Sequence, residues 1–294
     1  VGRYKISRAS SLAGTSSNDN GKIELIDSID NNYDTDDFDI NTENISSRSG
    51  SKPLTYKKIG YFREYASKLG SDFSILDYHY YVLQMLYLVE YADYDSQTKL
   101  GQGITNPGGA VTNNMGGTDS LGMQSGCLAN DDKTSIIYRG MEDIFGYVSE
   151  FIDGINIRNY QAYINYDFTT YESDVFDGNY QALGYVNVNG SGFITKLGYD
   201  SNNPLIGLPT EIDSTHTDGN NPTGIKDLYG ATTGDVILLV GGPYAYSSYA
   251  GLWFSFACLG SDEDYVTVHN LVGSRLVRHQ TRTGREVQET ITTK

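Results

Sequence analysis

Residues 234–276 read GDVILLVGGPYAYSSYAGLWFSFACLGSDEDYVTVHNLVGSRL, and the fold turns on how this stretch is understood. The run 236–240, made of Val, Ile and Leu only, has the length and branching of a strand buried on both faces. Gly241 and Gly242 end it. An insert follows in which Tyr244, Tyr246, Tyr249, Trp253, Phe254 and Phe256 alternate with Ser, Ala and Gly, and then give way to Asp262, Glu263, Asp264 and Tyr265. Large flat rings with few rotatable bonds, spaced by small adaptable residues, are the composition of a recognition surface. A regular apolar pattern returns at 272–277, so the insert is expected to hang between two structural strands. The competing reading of the same composition is a tyrosine-rich sheet core, because Tyr and Phe also favour strands.

Composition narrows the function classes. The 294-residue chain carries a formal charge of −16. Phosphate backbones and anionic bilayers would repel it, so neither nucleic acid nor a membrane surface is an expected partner. No apolar run is long enough for a membrane-spanning helix, and the opening VGRYKISR has no signal pattern. Two cysteines, Cys127 and Cys258, leave a disulfide open and are too few for a cysteine-only zinc site. High Gly, Tyr, Asn, Ser and Asp point to a loop-rich mixed fold.

Taken in order, residues 1–51 read as an extended acidic arm or linker, because the stretch 27–44 has too few large apolar groups to offset chain entropy. The spacing of Asp30, Asn32, Asp34 and Asp36 imitates a calcium loop, but the Gly and terminal Glu are missing. From residue 55 the pattern becomes helical. Tyr56, Ile59, Phe62, Ala66 and Leu69 share one face of a helix stopped by Gly70. A second helix is expected over 76–92 with Val82, Met85, Leu86 and Val89 inward, Leu83 broadening the stripe and Asp77 in its first turn. Residues 99–126 form a Gly- and Asn-rich loop too long for an ordinary connection. Ile136 and Ile137 fit a strand, with Met141, Ile144, Phe145 and Val148 packed beneath it. Hairpin signals fill 155–229, and 213–221 is a further polar loop. The class is α+β: two helices, a small antiparallel sheet and long loops over 52–280, with a polar tail at 281–294.

Catalytic signatures are not found. His79, His216, His269 and His279 sit in unrelated contexts, no G-x-S-x-G elbow occurs, and no carboxylate pair stands out. The chain is therefore expected not to be an enzyme.

Two segments carry a resemblance. YRGMEDIFGYVSEFIDGINI (138–157) and LLVGGPYAYSSYAGLWFSFA…VGSRL (238–276) resemble the C-type-lectin-like domain shared by formylglycine-generating-type proteins and by variable proteins diversified by retroelements. There an RG-GN-WEW-D segment precedes a GG-W-GS-AG…G-R-L segment. The pattern LDYHYYVLQMLYLVEY…GQG…GGTDSLG is similar to phage tail-associated and receptor-binding proteins. The likeness covers roughly 52–280. It implies a C-type-lectin-like fold that exposes the insert on one face, with ligand contacts at Tyr244, Tyr246, Tyr249, Trp253, Phe254, Ser255, Asp262, Asp264, Tyr265 and His269. It implies no cofactor beyond calcium, which in relatives is held through an Asn and a Glu; here these positions are Tyr147 and Glu150. Oxidase activity in the family uses two nearby C-terminal cysteines, whereas Cys258 stands alone.

The resemblance implies a virion protein, on tail or capsid surface, and with the aromatic insert one that binds host-surface carbohydrate or protein. Other virion subunits are expected partners, and a homo-oligomer such as a trimer is the expected state. The alternatives are a capsid- or tail-decorating protein using the same surface for subunit contacts, and, further off, a formylglycine-generating-type oxidase or a glycan hydrolase.

Overall fold

The computed structural model of the protein describes residues 1–9, 44–55, 57–106, 114–215, 224–259 and 271–279. Its centre is the strand Asp235–Val240, flanked on both edges by antiparallel neighbours, Ser149–Arg158 and Ser255–Leu259. Val236, Leu238 and Val240 enter one apolar cluster, while Ile237 and Leu239 enter another on the opposite face. The strand is thus buried on both sides, as its uninterrupted apolar run requires. Outward from Ser255–Leu259 lie Leu228–Ala231, paired in parallel, then Gly190–Leu197 and Pro209–Asp213. Outward from Ser149–Arg158 lie Gln161–Ile164 and Gln181–Ala182, and Val272–Gly273 pairs in parallel with its start.

The register of Ser149–Arg158 breaks once. Ile237 faces Asn156 but Leu238 faces Ile152, so the residues between them bulge from the ladder. Gly154 makes this bulge at φ +75, where an added Cβ would lie 2.7 Å from the Asn165 carbonyl oxygen. The bulge turns Asp153 toward α1 (Ile59–Leu69), whose Arg63 clamps it through Nε at 2.7 Å and a terminal nitrogen at 2.8 Å.

The helices cover opposite faces of the sheet. From α1, Ile59, Phe62 and Ala66 pack on Ile237, Leu239 and Phe151, as their spacing predicts. Leu69 is exposed, and Tyr56 lies outside the described residues. The second helix, α2 (His79–Tyr91), presents a different face from the expected one. Tyr80, Tyr81, Leu83, Gln84 and Tyr87 are buried, whereas Val82, Met85 and Leu86 are half-buried and Val89 is 86% exposed. Tyrosine rings bury more apolar area than valine, and the polar tips are placed: Tyr80 Oη donates to the Leu252 carbonyl (3.0 Å), Tyr87 Oη to the Asp95 carbonyl (3.0 Å). Asp77 precedes the helix and accepts from the His79 amide at 3.1 Å. A short third helix, α3 (Ser96–Leu100), is capped by Asp95, which accepts from the Thr98 amide at 3.0 Å.

The two chain ends of the described fold lie together. Ser7–Ala9 pairs with Asn44–Ser46, Leu276–Arg278 pairs with Phe73–Ile75, and Lys5 bridges Arg275. The Gly2 amide donates to the Leu276 carbonyl and the Ile6 amide to the Ser274 carbonyl, each at 2.7 Å. Residues 1–9 and 44–51 therefore belong to the body, which corrects the expected arm of 1–51; Lys5 and Ile6 are fully buried. The acidic stretch between them, with Asp30, Asn32, Asp34 and Asp36, lies outside the described residues, as does the expected tail 281–294. The result is a mixed α+β fold, and among the described residues no helix is long and apolar enough to cross a membrane.

Candidate functional site

The insert leaves the central strand through Gly241 and Gly242, both at positive φ. A Cβ on Gly242 would meet the Ala250 backbone at 2.9 Å, so only glycine lets the chain fold back here. Tyr244–Tyr249 then forms 3-10 turns interrupted at Ser247, whose φ 50 and ψ −127 are a conformation ordinarily left to glycine. Such a residue costs about 1–3 kcal/mol and persists only where its surroundings fix it. They do: the Ser247 amide donates to the Thr105 carbonyl at 3.1 Å. Gln97 Nε2 donates to the Ser247 carbonyl at 3.0 Å and to that of Ala250 at 2.5 Å.

The structure divides the expected ligand-binding residues. Tyr244, Tyr246 and Tyr249 are half-buried at the rim. Tyr246 lies edge-on to Phe254 (centroids 5.0 Å apart) and to Phe256 (5.7 Å), and Tyr249 is edge-on to Phe193 at 5.3 Å. Trp253 and Phe254 are each only 2% exposed, and Ser255 is buried in the strand Ser255–Leu259. These three are core residues, a correction to their expected role: Trp253 packs edge-on against Tyr87 and Tyr94 at 5.4 and 5.2 Å, filling the space between α2 and the sheet. Asp262, Asp264, Tyr265 and His269 lie outside the described residues. The insert is therefore half core and half rim.

Glu150 does not suit a cation. Its Oε1 accepts from Lys5 Nζ at 2.5 Å and from Arg275 at 3.0 Å, and its Oε2 from Arg275 Nε at 3.2 Å. Burial pushes this carboxyl up, but Arg275 and Lys5 outweigh burial and hold it below the usual carboxylate range. Its oxygens are occupied by two side-chain cations, and Tyr147, the other position expected at a calcium site, is a buried ring in a small apolar cluster. The expected calcium ligand is thus the anion of a structural clasp. Among the described residues no group of three or more His, Cys, Asp or Glu side chains is placed to hold a metal ion. Cys127 is a free thiol.

Beside the rim opens a polar cleft of about 290 Å³. It is lined by Asp95, Gln97 and Thr98 from the turn into α3, and by the exposed Gln102 and Asn130. Lys226 and the buried Asp227 complete the lining, and Ser248 comes from the insert itself. Lys226 Nζ donates to Asp95 Oδ2 at 2.6 Å, and Thr98 Oγ1 donates to the same oxygen at 2.7 Å. These bonds to Lys226 and Thr98 overcome partial burial and keep the Asp95 carboxyl low. Asp227 is the opposite case. Burial, assisted by the charge of Asp95, pushes it up to about 7, although Oδ2 accepts from the Trp253 amide at 2.7 Å. The cleft thus offers an ammonium, one firmly ionised carboxylate, one carboxyl poised near neutrality, and several amide and hydroxyl groups.

Sequence reasoning found only part of this site. Ser248 lies in the insert and Gln102 in the 99–126 loop, whose length marked it as more than an ordinary connection. Asp95, Lys226 and Asp227 carried no signal, because the cleft is assembled from four separated segments. No family model and no curated protein matches the chain.

Proposed function

We propose that the protein is a non-enzymatic phage virion protein that binds a host-surface carbohydrate. The ligand would sit in the polar cleft with Tyr244, Tyr246 and Tyr249 at its rim. The observation that carries this reading is the meeting of the strained, tightly anchored Ser247 turn with a cleft lined by polar side chains. Hydroxyl-rich ligands need many directed donors and acceptors in a small volume, and the half-buried tyrosines of the insert, on either side of the cleft residue Ser248, would supply apolar surface for the C–H side of a sugar. A C-type-lectin-like arrangement is part of the proposal. Its support is α1 and α2 on opposite faces, the adjacent ends of the described fold and the long irregular segments; the nine-stranded sheet with two parallel pairings is larger than the small antiparallel one expected. Assembly as a homo-oligomer on the tail or capsid surface belongs to the same proposal.

The test is binding of the purified protein to host cell-wall fractions, comparing wild type with Lys226→Ala and Gln102→Ala. Saturable binding weakened by both variants is expected. Equal binding by all three would remove the cleft from the account. Release of product at catalytic rates would instead make the protein a glycan hydrolase. Immunogold labelling of the particle separates an attachment protein at the tip from a decoration protein of the shell.

A further inference from the structure

On another part of the surface, a buried carboxylate holds a histidine in one orientation. Asp77 is 0% exposed, and its Oδ1 accepts from both the His79 amide (3.1 Å) and His79 Nδ1 (2.5 Å). Its Oδ2 accepts from Tyr171 Oη at 3.1 Å. Burying a carboxylate costs several kcal/mol unless donors compensate, so a fully enclosed one serving a half-exposed ring is an investment in orientation. The consequence for His79 is a fixed ring with Nδ1 committed inward. Among the described residues Nε2 has no hydrogen-bond partner, and the side chain is 35% exposed.

Aromatic faces flank this imidazole. Tyr78 stacks on it with centroids 4.4 Å apart, and Tyr166 meets Tyr78 edge-on at 4.9 Å. Tyr166 is 44% exposed, yet its hydroxyl is tied down, donating to Asn203 Oδ1 at 2.9 Å. Asn203 is itself buried and donates to Asp200 Oδ2 at 2.8 Å. The same turn carries Tyr199, 72% exposed. The strip is therefore pre-organised rather than a set of loose surface rings, and ordering costs on binding are correspondingly small.

We infer that His79, Tyr78 and Tyr166 form a second saccharide site, distinct from the cleft, in which Nε2 of His79 bonds a sugar hydroxyl while the tyrosines take the C–H face of the ring. A neutral sugar fits best. The net charge of −16 repels polyanions, and a purely apolar partner would leave Nε2 without a bond. The two sites share no residue. Joined on one chain, two weak contacts with the same polymer would reinforce each other by effective concentration.

The experiment is an NMR titration of the full chain labelled in its histidine rings, with triacetylchitotriose and maltotriose as probes and sorbitol as control. The His79 signal is assigned by its loss in His79→Gln. At least one trisaccharide is expected to shift it saturably at millimolar concentration, and sorbitol is expected to leave it in place. Tyr166→Ala should weaken that binding roughly three- to tenfold, the equivalent of one aromatic contact. Tyr166→Phe, which keeps the ring, should retain most of it. Lys226→Ala should leave the shift unchanged, which separates this site from the cleft reading. No shift with either trisaccharide up to about 20 mM, affinity weaker than about 2.3 kcal/mol, overturns the proposal. So does a shift indifferent to Tyr166→Ala, or one abolished by Lys226→Ala.

Discussion

Glu150 and Asp227 are both carboxyls sealed inside the same molecule, and they behave in opposite ways. Glu150 sits at the bridge between the first and last described segments, gripped by Lys5 from one and Arg275 from the other. Asp227 sits under the cleft and receives the Trp253 amide, while the neighbouring ammonium of Lys226 turns away to Asp95. One is held below the usual range by two cations; the other is lifted to about 7 by burial and a like charge. Burial sets the cost of a charge, and the partners decide whether the charge survives it. The clasp is accordingly a fixed structural element, and the cleft carboxyl is a group that ordinary changes of pH can retune.

The largest effect expected from this contrast is that of Glu150→Ala. It leaves two cations enclosed without a counter-charge and should cost about 3–5 kcal/mol in urea unfolding; a loss near zero would mean that the clasp does not close the fold. Asp227→Asn sharpens the other side. Because the folded-state value lies above the ordinary 3.8, the stability it contributes is complete below that pH and is lost as pH rises to about 7. Replacing it should raise stability at pH 8, relative to the effect at pH 4, by on the order of 4 kcal/mol, read from melts at the two pH values. A pH-independent difference would contradict the assignment. Tyr246→Ala removes two edge-on contacts at the rim and should cost roughly 1–2 kcal/mol, measured by thermal unfolding. Lys226→Ala is the mildest, at most about 1 kcal/mol of stability because the pair reaches solvent, and under the proposed function it should also weaken glycan binding.

How far the sequence could be followed depends on the distance over which each feature is encoded. The burial of 236–240 on both faces was legible, since an uninterrupted run of Val, Ile and Leu has no polar side to show. The face of α2 was not. Counting Val82, Met85 and Val89 as the inward stripe undervalues tyrosine, and here Tyr80 and Tyr87 bury their rings because Leu252 and Asp95 offer carbonyls to their hydroxyls. Those acceptors lie on other segments, as do the 145 and 125 positions that separate Glu150 from Lys5 and Arg275. The insert was recognised as a unit, but nothing local separates its rim tyrosines from Trp253 and Phe254. That division is made by the turn at Gly241 and Gly242, which sends one half over the surface and returns the other into the sheet.

The bonds from Gly2 to Leu276 and from Ile6 to Ser274 have a mechanical meaning. Tension applied between the two ends of the described fold passes directly from one end segment to the other across these bonds and the Lys5–Glu150–Arg275 link. The sheet interior and the cleft stay outside that line of force until the junction parts.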